Sequence, residues 1–136
     1  MINAYEEMII KFEKAGVEVI EDNLGTTKPC GKCIDNLIII NNKINTCEKR
    51  CILAEELGHF FTSFGDITNQ SKINNKKQEV VARRWGYNKL IPISALKKAY
   101  RKGYKTKYEI AEYLQVTENF LSEAMEYYKC KNAISI

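Results

Sequence analysis

Two side chains near the middle of the chain have the types and spacing of metal ligands on one helix. Glu55 and His59 are four residues apart, so on an α-helix they project from the same face, one turn from each other. Glu56 lies about 100° around that helix from Glu55, where its carboxylate points beside an ion rather than at it. In the H-E-x-x-H zinc helix, two side chains bind metal and the glutamate between them accepts a proton from water. The spacing predicts a metallopeptidase-type helix with Glu55 in place of the first histidine.

A purely structural role for these residues is the weaker interpretation. His59 is the only histidine of the chain, and a lone histidine near an apolar helix is more often a hydrogen-bonded structural residue than a ligand. However, burying the adjacent carboxylates of Glu55 and Glu56 without a cation would cost several kcal/mol. A structural helix would have to place both at the surface, and the apolar neighbours Leu57 and Phe60 disfavour that arrangement.

Length and composition favour one globular domain. The 136 residues are 45% apolar and 28% charged, as is usual for a folded protein with a single core. No apolar run approaches the roughly 20 residues of a membrane helix, and the first residues lack the pattern of an export signal. We therefore expect a cytoplasmic protein with no membrane partner. The net charge of +4 is modest, and carboxylates separate the basic residues, which favours a solvated surface over a nucleic-acid site.

Apolar spacing predicts the elements that precede the metal helix. An apolar stripe at helical spacing over residues 5–12 predicts a first helix that ends near Gly16. The alternation from Val17 predicts a short strand, followed by a loop over residues 24–31. The β-branched run 37–40, bounded by asparagines, predicts a largely buried strand.

The rest of the chain is predicted to be helical. The metal helix begins near Thr46, and a second long helix covers about residues 76–90 and is closed by Pro92, which cannot continue it. Three shorter helices follow, and their predicted N-caps are Ser94, Thr106, which opens a capping box with Glu109, and Thr117.

With these elements in place, the chain resembles the ImmA/IrrE metallopeptidases, in particular the short versions encoded by prophages and integrative elements. The resemblance covers about residues 17–129. It is carried by Ile38–Asn41, by the helix segment Glu48–Ser63, and by Gln78, Glu79, Ala82, Trp85–Tyr87 and Leu90–Pro92. The combination is specific, although each short segment alone would be weak.

The resemblance implies a metal-dependent endopeptidase that cleaves a helix-turn-helix repressor encoded nearby and so derepresses the mobile element. It gives Glu56 the role of catalytic base and makes Glu79 the third metal ligand beside Glu55 and His59. Asp66 is a weaker third ligand, because a turn or helix-capping role suits it better. We expect zinc, with Mn²⁺ or Fe²⁺ as alternatives, because two carboxylates make the ligand set rich in oxygen.

The expected fold is α+β and mainly helical, with a zincin-like metallopeptidase core, a small β-sheet and a C-terminal helix pair. We expect a single zincin-like domain over 1–136, divided into the core at 1–92, a helical subregion at 93–130 and a tail at 131–136. A substrate backbone is expected to pair with an edge of the sheet by strand addition. The residues predicted to bind substrate there are Leu37, Ile38, Ile39 and Ile40.

Four cysteines support a different kind of site. They follow the pattern C-x2-C-x13-C-x3-C, which is close to the spacing of structural zinc sites, and are Cys30, Cys33, Cys47 and Cys51. A structural four-thiolate zinc protein is therefore an alternative function. Independent buried thiols are the simpler interpretation.

The C-terminal subregion supports a third interpretation. Residues 108–121 carry the alanine, the turn valine and the later apolar positions of a helix-turn-helix, so a DNA-binding module is an alternative. Against direct nucleic-acid binding, the would-be recognition helix carries three glutamates, which phosphates repel. A relative that binds a repressor without cleaving it is a further alternative, since Glu55 departs from the family's histidine.

Overall fold

This computed structural model describes residues 2–25, 30–62 and 72–131. In the last range, side chains are described from residue 76 onward. The described residues form six helices and three strands. In chain order they are α1 (Ala4–Glu13), β1 (Glu18–Asp22), β2 (Gly31–Ile34), β3 (Leu37–Asn41), α2 (Thr46–Thr62), α3 (Lys72–Leu90), α4 (Ile93–Arg101), α5 (Lys107–Leu114) and α6 (Glu118–Cys130). The prediction of an α+β, mainly helical fold is confirmed. Within these ranges, no helix is long and apolar enough to cross a membrane.

The three strands form a mixed sheet in the order β1-β3-β2. β3 runs parallel to β1 and antiparallel to β2, to which it is joined by a tight turn at Asp35 and Asn36. Asp35 adopts a left-handed conformation with φ of 54°, which aspartate tolerates better than most residues. The sequence does not predict β2, because Gly31 favours a loop and Cys33, with Cys30 just before the strand, favours a zinc-type pattern there.

The position of β3 corrects one predicted set of substrate-binding residues. Both edges of this strand are already paired, from Leu37 to Asn41 with β1 and from Leu37 to Ile40 with β2. Ile38 and Ile40 are fully buried beneath the helices. The backbone of Leu37, Ile38, Ile39 and Ile40 therefore has no free edge for a substrate, and among the described strands β1 and β2 form the edges of the sheet.

Helices α2 and α3 pack against each other at very close range. Gly58 of α2 faces the backbone of Ala82 in α3, where a Cβ atom built on the glycine would lie only 2.9 Å from the Ala82 carbonyl carbon. Leu53, Ala54 and Leu57 are completely buried on the same side of α2. The small residues let the two backbones approach, and this close approach fixes the relative position of their side chains.

The C-terminal helices follow the predicted capping signals, with one exception. The Thr106 capping box and the Thr117 N-cap are both present. The predicted cap at Ser94 is wrong, because α4 begins at Ile93 with Pro92 as its N-cap, and the fixed φ of proline suits a helix start. α6 then packs onto α3 through Tyr128, whose hydroxyl donates to the Ile91 carbonyl at 2.8 Å.

Candidate metal centre

The close packing of α2 and α3 brings the three predicted ligands together. Glu55 and His59 lie one turn apart on α2, and Glu79 lies on α3 one turn before Ala82, the residue that contacts Gly58. Each of the three side chains offers a ligand atom, and these atoms all lie within 4.8 Å of one another. Glu55 and His59 are half-buried, whereas Glu79 is exposed. Two helices thus supply two carboxylates and one imidazole to a single point.

Hydrogen bonds and ion pairs hold this group of side chains in place. Nε2 of His59 lies 3.1 Å from Oε1 of Glu79, a contact that requires a proton between the two atoms. Nε of Arg83 donates to Oε1 of Glu55 at 3.3 Å. In this arrangement each of the two carboxylates has a neighbouring donor, His59 for Glu79 and Arg83 for Glu55.

Glu56 differs from the other carboxylates in being largely enclosed. Its Oε2 atom is buried and has no hydrogen-bond partner among the described residues. Burial raises the pKa of Glu56 to about 7, and the charges of Glu55 and Glu79 also raise it, whereas His59 lowers it. A carboxyl group with a pKa near neutrality and a free oxygen is suited to accept and release a proton.

The residues present fit a divalent metal ion. A carboxylate-imidazole-carboxylate set is chemically suited to zinc and, because it is oxygen-rich, to manganese or iron. The orphaned Oε2 of Glu56 beside this set is the expected arrangement for a base that does not itself bind the ion. Glu55, His59 and Glu79 are therefore the residues that would hold the metal.

A cavity of about 630 Å³ adjoins Glu56 and His59. Its other walls come from Phe60 of α2, Gln78 of α3, and Cys33, Asp35 and Asn36 of the β2–β3 hairpin. Gly31 lets β2 approach α2, since a Cβ atom there would lie 2.5 Å from Cγ2 of Ile52 and 3.3 Å from Cγ of Glu56. The edge strand therefore runs beside the enclosed carboxylate.

The four-thiolate alternative does not hold for the described residues, which include all of its cysteines. Among them, Glu55, His59 and Glu79 are the only group of three or more potential ligands whose atoms converge. Burial raises the pKa of Cys33 and of Cys51 to about 11, so both stay protonated as free thiols near neutral pH. Asp66, the weaker candidate for third ligand, lies outside the described residues.

The C-terminal helix pair has a packing role in the structure. α6 turns its apolar stripe inward, and the buried residues are Phe120, Leu121, Ala124, Met125 and Tyr128. Its exposed side carries Glu118, Glu123 and Glu126, of which Glu123 accepts a hydrogen bond from Tyr87 of α3 at 2.8 Å.

Two features of the centre cannot be predicted from the sequence. Arg83 follows Glu79 by four residues, a spacing that places both on one face of α3, but nothing in the chain indicates that Glu55 on another helix is its partner. The edge strand β2 escapes prediction because a four-residue strand with a glycine gives little periodic signal.

Comparison with known proteins gives a family match that covers this part of the chain. A family model for the IrrE N-terminal-like domain, Peptidase_M78, matches residues 12–126. No individual curated protein matches the chain. The matched range includes α2, α3 and all residues of the converging group, and it spans most of the 136 residues. The resemblance inferred from the metal helix and its flanking segments is confirmed, and the chain belongs to the Peptidase_M78 family.

Proposed function

We propose that this protein is a metal-dependent endopeptidase that cleaves a helix-turn-helix repressor of a phage or mobile element. The observation that carries the catalytic part of the proposal is the enclosed Glu56 carboxyl group beside three converging ligands, with an Oε2 atom that no described residue contacts by a hydrogen bond. A structural helix would have no reason to place an unpaired carboxyl group in that position.

In the proposed reaction, Glu55, His59 and Glu79 hold a divalent ion, for which zinc is the first candidate and manganese or iron the alternatives. When bound, the ion polarises the scissile carbonyl group and the attacking water. Glu56 accepts the proton of that water as it attacks the carbonyl carbon, and then passes it to the leaving amine. Burial raises the pKa of Glu56, which helps the carboxyl group to hold the proton between the two transfers.

The substrate backbone is proposed to pair with the outer edge of β2. The described residues place no strand on that side of β2, and the strand lies beside the cavity that contains Glu56 and His59. Strand addition would hold an extended peptide parallel to the cavity and bring one peptide bond to Glu56. The strand proposed to pair with the substrate is therefore β2, and not the central strand β3 that the sequence indicates.

The repressor as substrate is proposed from the family resemblance. A short edge strand and an open cavity suit an extended segment, so the cleaved bond should lie in a flexible part of the repressor rather than in a folded helix.

The test is co-expression of the protein with a candidate repressor from the same genetic element. Gels would detect fragments, and elemental analysis would measure the metal content of the purified protein. Wild type should cleave and should contain about one divalent ion per chain, as expected for a three-ligand catalytic site. Glu56→Gln should retain the ion and lose cleavage, because the amide keeps the shape of the side chain but cannot accept the proton.

Two further variants make the result specific. His59→Ala should lose the ion, and Glu48→Gln, on the same helix but outside the converging group, should keep both metal and activity. Cleavage by Glu56→Gln at the wild-type rate would refute the peptidase mechanism. Equal metal content in wild type and His59→Ala would refute the metal centre.

A further inference from the structure

Arg83 connects the centre to a second cavity that the proposed reaction does not use. Its Nε atom donates to Oε1 of Glu55 at 3.3 Å, and Glu123 and Tyr87 lie within electrostatic range of its guanidinium. Glu55, Arg83 and Glu123 share the wall of a cavity of about 400 Å³, whose lining does not include Glu56. The hydroxyl of Tyr87 donates a hydrogen bond to Glu123 at 2.8 Å, so a second carboxylate stands near the guanidinium without displacing it from Glu55.

The net charge of the three ligands gives a reason for a positively charged partner beside Glu55. Two carboxylates and a neutral imidazole carry two negative charges, whereas a set with histidine in place of Glu55 would carry one. Glu56 adds a further carboxyl group directly beside them. Arg83 is always protonated, so its single positive charge restores the balance that a histidine at position 55 would give.

The hydrogen bond from Arg83 also determines which oxygen of Glu55 is available to a metal ion. A carboxylate has two oxygens, and the one that accepts from Arg83 is Oε1, so Oε2 is the oxygen left without this bond. A metal-binding histidine likewise uses one nitrogen for the ion while a neighbouring group holds the other. Glu55 and Arg83 together can reproduce that division of roles.

We propose that Arg83 is the positioning residue for Glu55: it holds one carboxylate oxygen, leaves the other for the ion, and offsets the extra negative charge. This inference rests on the proposed metal centre. It makes Glu55 and Arg83 a functional pair drawn from two helices, so that the role of either residue depends on the other.

The test is a double-mutant cycle read out as zinc affinity, measured by competition with a chromophoric chelator. The four proteins are wild type, Arg83→Gln, Glu55→His and the double variant. With Glu55 present, Arg83→Gln should weaken zinc binding about tenfold or more, because losing the hydrogen bond that orients Glu55 outweighs the removal of a positive charge near the ion. In the Glu55→His background, Arg83→Gln should strengthen binding or leave it unchanged, because the guanidinium then has no carboxylate to hold and repels the ion.

Controls separate this role from a general effect on the fold. Arg84→Gln alters the adjacent arginine, which lies over the Tyr127 ring at 5.2 Å, and should leave zinc affinity unchanged. Thermal unfolding of the metal-free proteins should be nearly the same for wild type and Arg83→Gln, since Arg83 is half exposed.

Equal effects of Arg83→Gln in both backgrounds would overturn the role of Arg83 while leaving the metal centre intact. A wild-type protein that binds none of zinc, manganese and iron would overturn both the centre and the pair. The two failures are therefore distinguishable.

Discussion

The contact between Gly58 and Ala82 predicts that Gly58→Ala will destabilise the protein, although alanine is the better helix former. A Cβ atom at position 58 would lie 2.9 Å from the carbonyl carbon and 3.0 Å from the Cα atom of Ala82, and closer still to its carbonyl oxygen. Ordinary contacts begin near 3.4 Å. All three atoms belong to the backbone, so no side-chain rotation relieves the clash and α3 must move away from α2.

The expected magnitude follows from two opposing terms. Alanine in place of glycine within a helix gains about 1 kcal/mol. Overpacking of a close contact costs up to about 3 kcal/mol, and a clash with backbone belongs at that end of the range. The net loss should be about 2 kcal/mol, which for a chain of this length lowers the unfolding temperature by roughly 6 °C. Glu79 lies one turn before Ala82, so the same displacement should also weaken metal binding.

Gly86→Ala provides a matched control in the same helix pair. A Cβ atom there would lie 3.5 Å from the Cβ of Ala54 and from Cζ of Phe120, which is ordinary contact. This variant should therefore gain up to about 1 kcal/mol from helix propensity alone. Thermal and urea unfolding would measure both proteins. If Gly58→Ala were as stable as Gly86→Ala, the close packing that we hold responsible for positioning Glu79 would be refuted.

Three further predictions concern the thiols and one buried hydroxyl. Iodoacetamide should label exposed Cys130 first, and labelling of buried Cys51 should become rapid only as the pH approaches its pKa of about 11; equal rates at pH 8 would contradict this burial. The double variant Cys30→Ser, Cys33→Ser should keep its full metal content in elemental analysis, and loss of an ion would restore the thiolate site. Tyr128→Phe should cost about 1–2 kcal/mol in urea unfolding, because a buried backbone carbonyl 2.8 Å from the hydroxyl loses its donor; an unchanged midpoint would show that the carbonyl finds another partner.

The long helices and their caps can be predicted because their signals are local. The start of α2 near Thr46, the end of α3 before Pro92 and the Thr106 capping box each depend on a few neighbouring residues. Ser94 shows the limit of such signals, since Pro92 offers a competing helix start only two residues earlier. The order of strands depends on pairing between distant segments, so the central position of β3 is not visible in its own sequence.

The metal centre can likewise be predicted from the sequence only in part. The one-helix spacing of Glu55, Glu56 and His59 is visible in the sequence, and the family resemblance indicates Glu79. The role of each ligand remains a prediction, although the structure brings the three side chains together. Arg83 cannot be found by spacing, because its partner lies on another helix and only the close packing at Gly58 brings the two together.

The shortness of β2 has a consequence for self-association. An unpaired strand edge accepts any extended chain, including the same strand of another copy, and Ile34 adds a side chain that is 55% exposed. Two copies of a four-residue strand gain few backbone hydrogen bonds, and antiparallel pairing would bring their Lys32 side chains to neighbouring positions on strands about 4.8 Å apart. Like charges so placed repel. This repulsion disfavours pairing of the β2 edge with the same edge of another copy.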